Sequence, residues 1–271
     1  MTKESDIITV ANHIRENVIK MTYAAGKKGA HVGGGLSMCE ILAVLYMAVM
    51  KIDINDINNP ERDRFILSKG HGAITLYAAL KEKGILSQKD LDLFKVNGSD
   101  FWTHPRFLPE KGFEFASGSL GQGLSLAAGT ALALRFRKSK AHIYVYIGDG
   151  ECDEGAVWEA ASFVAHHKLN NITVIVDENK LQLDAATKEI INKDDLDKRW
   201  EAFGFDVLKP DGHSIPALLK AFEFFSEKPV AILAQTIEGK GVSFIENNPI
   251  YHMNFLTKDQ FEQAMNEQEG K

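Results

Sequence analysis

The stretch His142–Asp184, HIYVYIGDGECDEGAVWEAASFVAHHKLNNITVIVDENKLQLD, constrains the fold more than any other part of the chain. Ile143 to Ile147 is an apolar run that ends in Gly148-Asp149-Gly150 and reads as a buried strand. From Glu154 to about Lys168, the residues Val157, Trp158, Ala161, Val164 and Ala165 fall on one side of a helix. A second apolar strand, Ile172 to Val176, runs into Asp177-Glu178-Asn179. The pattern predicts a βαβ unit whose two strands end at oxygen-bearing side chains, Asp149 and Asn179. In an open parallel sheet both ends face one crevice, where such folds place ligands.

One carboxylate and one amide at that rim suit a small hard cation. Mg2+ takes one or two protein oxygens and completes its shell with phosphate oxygens and water. Gly148 and Gly150 would let backbone approach a diphosphate, and a helix starting near Glu154 would aim its N-terminus the same way. Read as a calcium loop from Asp149, the sixth position is Glu154 rather than glycine and the twelfth is Ala160 rather than glutamate. There is no GxxxxGK[ST], and Gly118, Gly121 and Gly123 stand in the wrong order for GxGxxG. The plain alternative is a tight turn at each strand end. GDG followed by about thirty residues and then Asn resembles the signature of thiamine-diphosphate-dependent enzymes, here in a strand–helix–strand setting.

With 271 residues, 45% hydrophobic and 25% charged, the chain has room for one large α/β domain. We read residues 1–271 as that single domain. A net charge of −6 and the lack of any basic run argue against a nucleic-acid partner. The longest apolar run, Ile41 to Met50, is too short to span a bilayer. A polar N-terminus without signal-peptide layout and only two cysteines, Cys39 and Cys152, point to a reducing cytoplasm. Cys152 reads as a small filler rather than a nucleophile.

Around the central unit, helical periodicity covers residues 5 to 25, and Gly29 to Gly35 reads as a loop too glycine-rich for a helix. Ser37 and Glu40 form a capping-box pattern opening an apolar helix to about Met50. Asp63 to Leu67 reads as a strand, followed by a helix that stops at Gly84. Val96 to Gly123 is irregular; a loop that long is usually functional or disordered, and its aromatics favour the functional reading. A small-residue helix (Leu124 to about Arg137) follows it. Beyond the βαβ unit come a helix (Leu196 to Phe203), strands at 205–208 and 230–235, a helix from Ile215, and a last helix from Thr257. Strands alternating with helices predict an α/β fold: a doubly wound, mostly parallel sheet with helices on both faces.

Four of nine histidines, His31, His71, His104 and His252, sit in glycine- or proline-flanked loops. A zinc cluster lacks the paired spacing it needs, and His166 and His167 belong to a helix. The segments AHVGGGLSMCEIL, RFILSKGHGAITLYAAL, THP, SGSLGQGLSLAAGTAL, IGDGECDEGAVWEAA, DENKLQLD, DGHS and EGKGVSF…YH carry a resemblance that spans nearly the whole chain. It resembles the N-terminal, diphosphate-binding half of transketolase, and more closely the separate N-terminal subunit of the two-chain form.

The resemblance implies thiamine diphosphate and Mg2+, with Ca2+ or Mn2+ as substitutes. It implies that Asp149 and Asn179 bind the metal by side chain and Leu181 by its carbonyl. Gly150 would meet the diphosphate through its backbone, with His71 and His252 close to it and to the reaction centre. His31 and His104 would face the hydroxyls of the donor ketose, while Gly118 and Leu120 line the aminopyrimidine side. Glu154 and Glu159 match acids at a subunit interface. Ketol transfer needs a proton taken from a hydroxyl and returned to the acceptor, work that histidine suits. The glutamate that meets the aminopyrimidine belongs to a following domain, so the resemblance implies a companion chain of the pyrimidine-binding and C-terminal type. The expected assembly is α2β2, acting on sugar phosphates, without nucleic acid or membrane.

Thr103, Ala185 and Tyr251 depart from the family pattern, and Phe101 and Trp102 add bulk beside His104, all expected near the substrate channel. The rival readings are a deoxyxylulose-phosphate synthase, a 2-oxoacid dehydrogenase α chain, and a noncatalytic cofactor-binding protein. Lys69-Gly-His71-Gly and EGKG favour transketolase over the first two.

Overall fold

A computed structural model describes residues 3–183 and 185–269. Asp184, the last residue of the DENKLQLD segment, lies outside them. Seven strands are present among the described residues: β1 (Arg64–Leu67), β2 (Ile143–Gly148), β3 (Ile172–Glu178), β4 (Leu181–Gln182), β5 (Ala185–Ala186), β6 (Asp206–Leu208) and β7 (Val230–Gln235). Five of them form one parallel sheet in the order β1-β2-β3-β7-β6. The remaining two make a small antiparallel hairpin just beyond β3.

Both faces of the sheet are covered, which is why its strands read as nearly continuous apolar runs. Phe65, Leu67, Tyr144, Tyr146 and Ile175 pack on one side with the helices Glu4–Ala24, Cys39–Val44, Ala73–Lys83 and Ile215–Phe222. Ile66, Val145, Ile147, Val174 and Val176 pack on the other with Gln122–Phe136, Gly155–His166 and Leu196–Ala202. Alternate residues serve opposite layers, as the two-residue period of a strand requires. Because the strands are parallel, Ser68, Gly148, Glu178 and Gln235 all come to the same edge.

Two local expectations are overturned. The glycine-rich segment is helical at Val32–Leu36, and all five residues are buried. Glycine weakens a helix by about 1 kcal/mol per residue, but packing decides here. A Cβ at Gly33 would meet Glu238 Oε1 at 2.9 Å, and one at Gly35 would meet Thr75 Oγ1 at 2.9 Å. Burial of Val32 and Leu36, roughly 1.5–3 kcal/mol each, outweighs the propensity.

Ser37 and Glu40 do not cap a helix. The helix begins at Cys39 after an uncapped Met38 and passes into a wider π turn at Leu45–Val49. Ser37 Oγ instead donates to Asp177 Oδ2 at 2.6 Å, and Glu40 pairs with Arg15 and, at 3.0 Å, His213. Buried polar side chains have taken distant partners over local ones. Ser87 and Thr257, on the surface, do form capping boxes.

Candidate active site

Just past the sheet edge lies a cavity of about 360 Å³. Its wall includes His31, His71, His104, His252, Gly118, Leu120, Gly148, Asp149, Gly150, Glu154, Asn179 and Leu181. Every candidate residue read from the sequence as catalytic, cofactor-binding or metal-binding therefore reaches one space. A larger cleft of about 650 Å³, lined by Arg62, Arg64, Phe107, Glu114 and Leu126, contains none of them.

The floor is built by strand ends. Asp149 follows β2 and is buried; its Oδ1 accepts from Gly150 N at 2.7 Å and its Oδ2 from Lys180 N at 2.9 Å. Burial, reinforced by the charge of Asp177, pushes its carboxyl up to about 7. Asn179, also buried, follows β3, and its Oδ1 accepts from Leu181 N at 3.0 Å. Lys180 between them has φ 64°, a left-handed conformation unusual for lysine. Its N–H bond to Asp149, and its carbonyl accepting from Thr187 N at 3.0 Å, hold that turn in place. Asn179 and Leu181 thereby line the same cavity as Asp149.

This donor set fits a hard divalent cation: one carboxylate, one amide oxygen, one backbone carbonyl. A buried carboxyl whose ionisation is opposed by burial and by a second acid is relieved by positive charge. Among the described residues no three His, Cys, Asp or Glu side chains converge on a metal position. An oxygen set drawing on an amide and a carbonyl is of another kind.

Beneath the floor, Lys69 and Asp177 form a buried ion pair at 2.5 Å. Asp177 also accepts from Ser37 and Thr236, and Lys69 donates to Gly34 O at 3.0 Å. Burial alone would raise the Asp177 carboxyl, but Lys69 and the hydroxyl donors hold it below the usual carboxylate range. Glu151, likewise buried, accepts from Ser68 Oγ, from Gly121 N at 2.8 Å and from Gly148 N at 3.1 Å. It ties β1, β2 and the glycine loop together.

The roof is a cluster of imidazoles. The His31 ring lies 5.2 Å from His71, 5.9 Å from His104 and 5.5 Å from His252, centroid to centroid. His71 and His252 are 5.3 Å apart. Burial, then neighbouring positive groups, pushes His31 down to about 3. His71 is lowered well below its ordinary value by burial and then Lys69, and His104 is lowered by burial and then Lys95. These three rings are neutral at pH 7, each offering one donor and one acceptor nitrogen.

Glu154 and Glu159 are exposed. Glu154 stands at the N-terminal boundary of the helix Gly155–His166 and its side chain makes no capping hydrogen bond; a 3-10 turn, Gly150–Asp153, lies between β2 and that residue. Cys152 is buried, and burial holds its thiol well above the ordinary range, in keeping with a filler.

Phe101 is buried against Tyr77 and Phe113, with centroids 5.4 and 5.9 Å away, and Tyr251 OH accepts from Gln260 at 2.8 Å. Phe101, Trp102, Thr103, Ala185 and Tyr251 do not line the cavity. The bulky side chains are committed to the core or to neighbouring backbone; the Trp102 indole donates to Ser99 O at 3.0 Å.

Lys69, Glu151, His213 and Glu238 are given no site role by the sequence. The one signal was their place inside motifs (SKGH, GDGE, DGHS and EGKG), because burial and long-range pairing cannot be read from spacing.

The family description "Transketolase, thiamine diphosphate binding domain" matches residues 8–269. The chain is similar to the 6-deoxy-6-sulfo-D-fructose transketolase subunit SqwG of Clostridium sp. (strain MSTE9), 41% identical over 98% of each chain. It is also similar to an apulose-4-phosphate transketolase subunit from Actinobacillus succinogenes, 41% identical over 95% of this chain and 94% of that one. Among solved structures, transketolase from Campylobacter jejuni superposes with a TM-score of 0.91 and 30% identity. That match covers 98% of this chain and 43% of the other.

Proposed function

The chain belongs to the transketolase thiamine diphosphate binding domain family, and from that premise we propose that it is the cofactor-anchoring subunit of a two-chain transketolase. The observation that carries this reading is the convergence of all twelve candidate residues on one cavity. Relatives that are named as subunits are matched over 90–98% of their own length, which supports a separate partner chain. That partner supplies the pyrimidine-binding and C-terminal domains, in an α2β2 assembly, and the pair acts in the cytoplasm. No helix among the described residues is long and apolar enough to cross a membrane.

In this reading Asp149, Asn179 and the Leu181 carbonyl hold Mg2+, with the Gly148–Gly150 turn against the diphosphate. Gly118 and Leu120 flank the aminopyrimidine. When bound, thiamine diphosphate supplies the carbon nucleophile and the electron sink. His31 and His104 hydrogen-bond the hydroxyls of the donor. His71 and His252 move protons between substrate hydroxyls and the medium, work for which an imidazole is chemically suited. The donor is a ketose carrying a terminal anion. The relatives' names span a sulfo-sugar and a sugar phosphate, and we assign sugar phosphates to this chain. Reconstitution with the chain that co-purifies, assayed with a ketose phosphate donor and an aldose phosphate acceptor, tests the proposal. Transfer of a two-carbon unit supports it. Turnover of pyruvate in its place points to another thiamine enzyme.

A further inference from the structure

Of the four cavity histidines, His252 is the one in ion-pair contact with a carboxylate among the described residues. Its Nδ1 lies 3.3 Å from Glu238 Oε1. Glu238 is 1% exposed and lines the same cavity, and its Oε2 is buried without a hydrogen-bond partner.

The segment carrying Glu238 is fixed from three sides. Ile237 N donates to His213 Nε2 at 2.8 Å, and the other nitrogen of His213 meets Glu40 Oε2 at 3.0 Å. A ring that accepts at Nε2 carries its proton on Nδ1 and donates it to Glu40. Arg15 Nε donates to Lys240 O at 3.0 Å, and Gly239 N donates to Gly33 O at 2.9 Å. The carboxylate also needs the space left by glycine at position 33, since a Cβ there would lie 2.9 Å from Glu238 Oε1. So the acid is held by its backbone, by the Arg15–Glu40–His213 chain, and by a gap in the neighbouring helix.

We infer that Glu238 is a positioning residue that fixes His252 as the Nδ1–H tautomer and makes it the proton carrier of the histidine cluster. With its proton on Nδ1, the nitrogen at ion-pair distance from Glu238, the ring keeps its Nε2 lone pair free. A proton leaving a substrate hydroxyl goes to Nε2 and is later returned from there, while the Nδ1 proton stays on the ring. The groups facing His252 are Glu238, His31 and His71. Lys69 and Lys95 act on the neighbouring rings and disfavour charge there. His252 is set apart from its three neighbours by a carboxylate at ion-pair distance, 3.3 Å, among the described residues. The catalytic consequence rests on the ketol-transfer reading; the dyad itself does not.

The test is heteronuclear NMR of the free, full-length chain with labelled histidine, His252 being assigned by the signal lost in His252→Gln. The neutral wild-type ring should show Nδ1–H, and Glu238→Leu should lose that preference, with the ring nitrogen shifts moving toward the Nε2–H pattern. Glu238→Asp should keep part of it. A wild-type Nε2–H ring, or a Glu238→Leu ring that keeps the wild-type balance, overturns the proposal. Should Glu238→Leu fail to fold, the wild-type tautomer decides alone. In the reconstituted pair Glu238→Leu should lower kcat roughly tenfold to a hundredfold with KM little changed. A wild-type Nδ1–H ring in a pair that transfers no ketol unit removes the proposed function and leaves the dyad standing.

Discussion

Lys69 Nζ lies 2.5 Å from Asp177 Oδ2, and the two side chains are 3% and 0% exposed. Neither tolerates loss of the other, because each would be left as an uncompensated charge in the interior. Replacing Lys69 by Met should therefore cost about 3–5 kcal/mol, read as a lower urea midpoint in chemical denaturation. A change below about 1 kcal/mol means that the pair does not hold the floor of the cavity.

Stability of the ligand-free chain should fall as pH drops from about 6.5 toward 3. His31 is pushed down to about 3 and His142 to about 4, in both cases chiefly by burial. In that window the unfolded chain binds protons that the folded chain refuses, so acid favours unfolding and the full contribution is present above about 6.5. Thermal melts across the range should show His31→Gln with a flatter acid limb than wild type. An identical limb removes His31 as a contributor.

Gly123→Ala should destabilise the chain by about 1–3 kcal/mol, because a Cβ would lie 2.4 Å from the Ser68 side chain and 2.9 Å from its Cα. Gly129→Ala, in the same helix, has open space and should be neutral or slightly stabilising. Parallel melts of the two variants check the contrast, and equal losses would contradict the packing described here.

Ketol transfer should be essentially absent with this chain alone and should appear when the partner is added. In the reconstituted pair, His31→Ala, His104→Ala and His252→Ala should each lower kcat/KM on the order of 10²- to 10⁴-fold. Near-full transfer in all three would falsify the role given to the cluster.

Much of this was legible in the sequence. The strand β7 was read to its ends, and β2 and β3 to within two residues, because apolar runs bounded by polar or glycine residues carry a local signal. What could not be read depended on distant partners. The glycines of Val32–Leu36 stand where Glu238, Lys69 and Thr75 come too close for a Cβ to enter without a shift, so they mark packing rather than a loop. The hairpin of β4 and β5 is too short to show a period. Ser37 and Glu40 have the spacing of a cap but the burial of a core network. The candidate site was legible as a set of residues, since each is marked by a motif. Its supports, Lys69, Glu151 and Glu238, are defined by hydrogen bonds across 83 to 108 positions or by contact with a single ring, and those only coordinates reveal.

The central claim is that Asp149 and Asn179 anchor a metal-bound diphosphate. It is tested most directly by calorimetric titration of thiamine diphosphate into the reconstituted pair in excess Mg2+. Binding should be saturable, lost on chelation of the metal, and weakened about tenfold to a hundredfold by Asp149→Asn or Asn179→Ala, equivalent to losing about 1.5–3 kcal/mol per charged contact. Binding that survives chelation, or that neither substitution weakens, contradicts it.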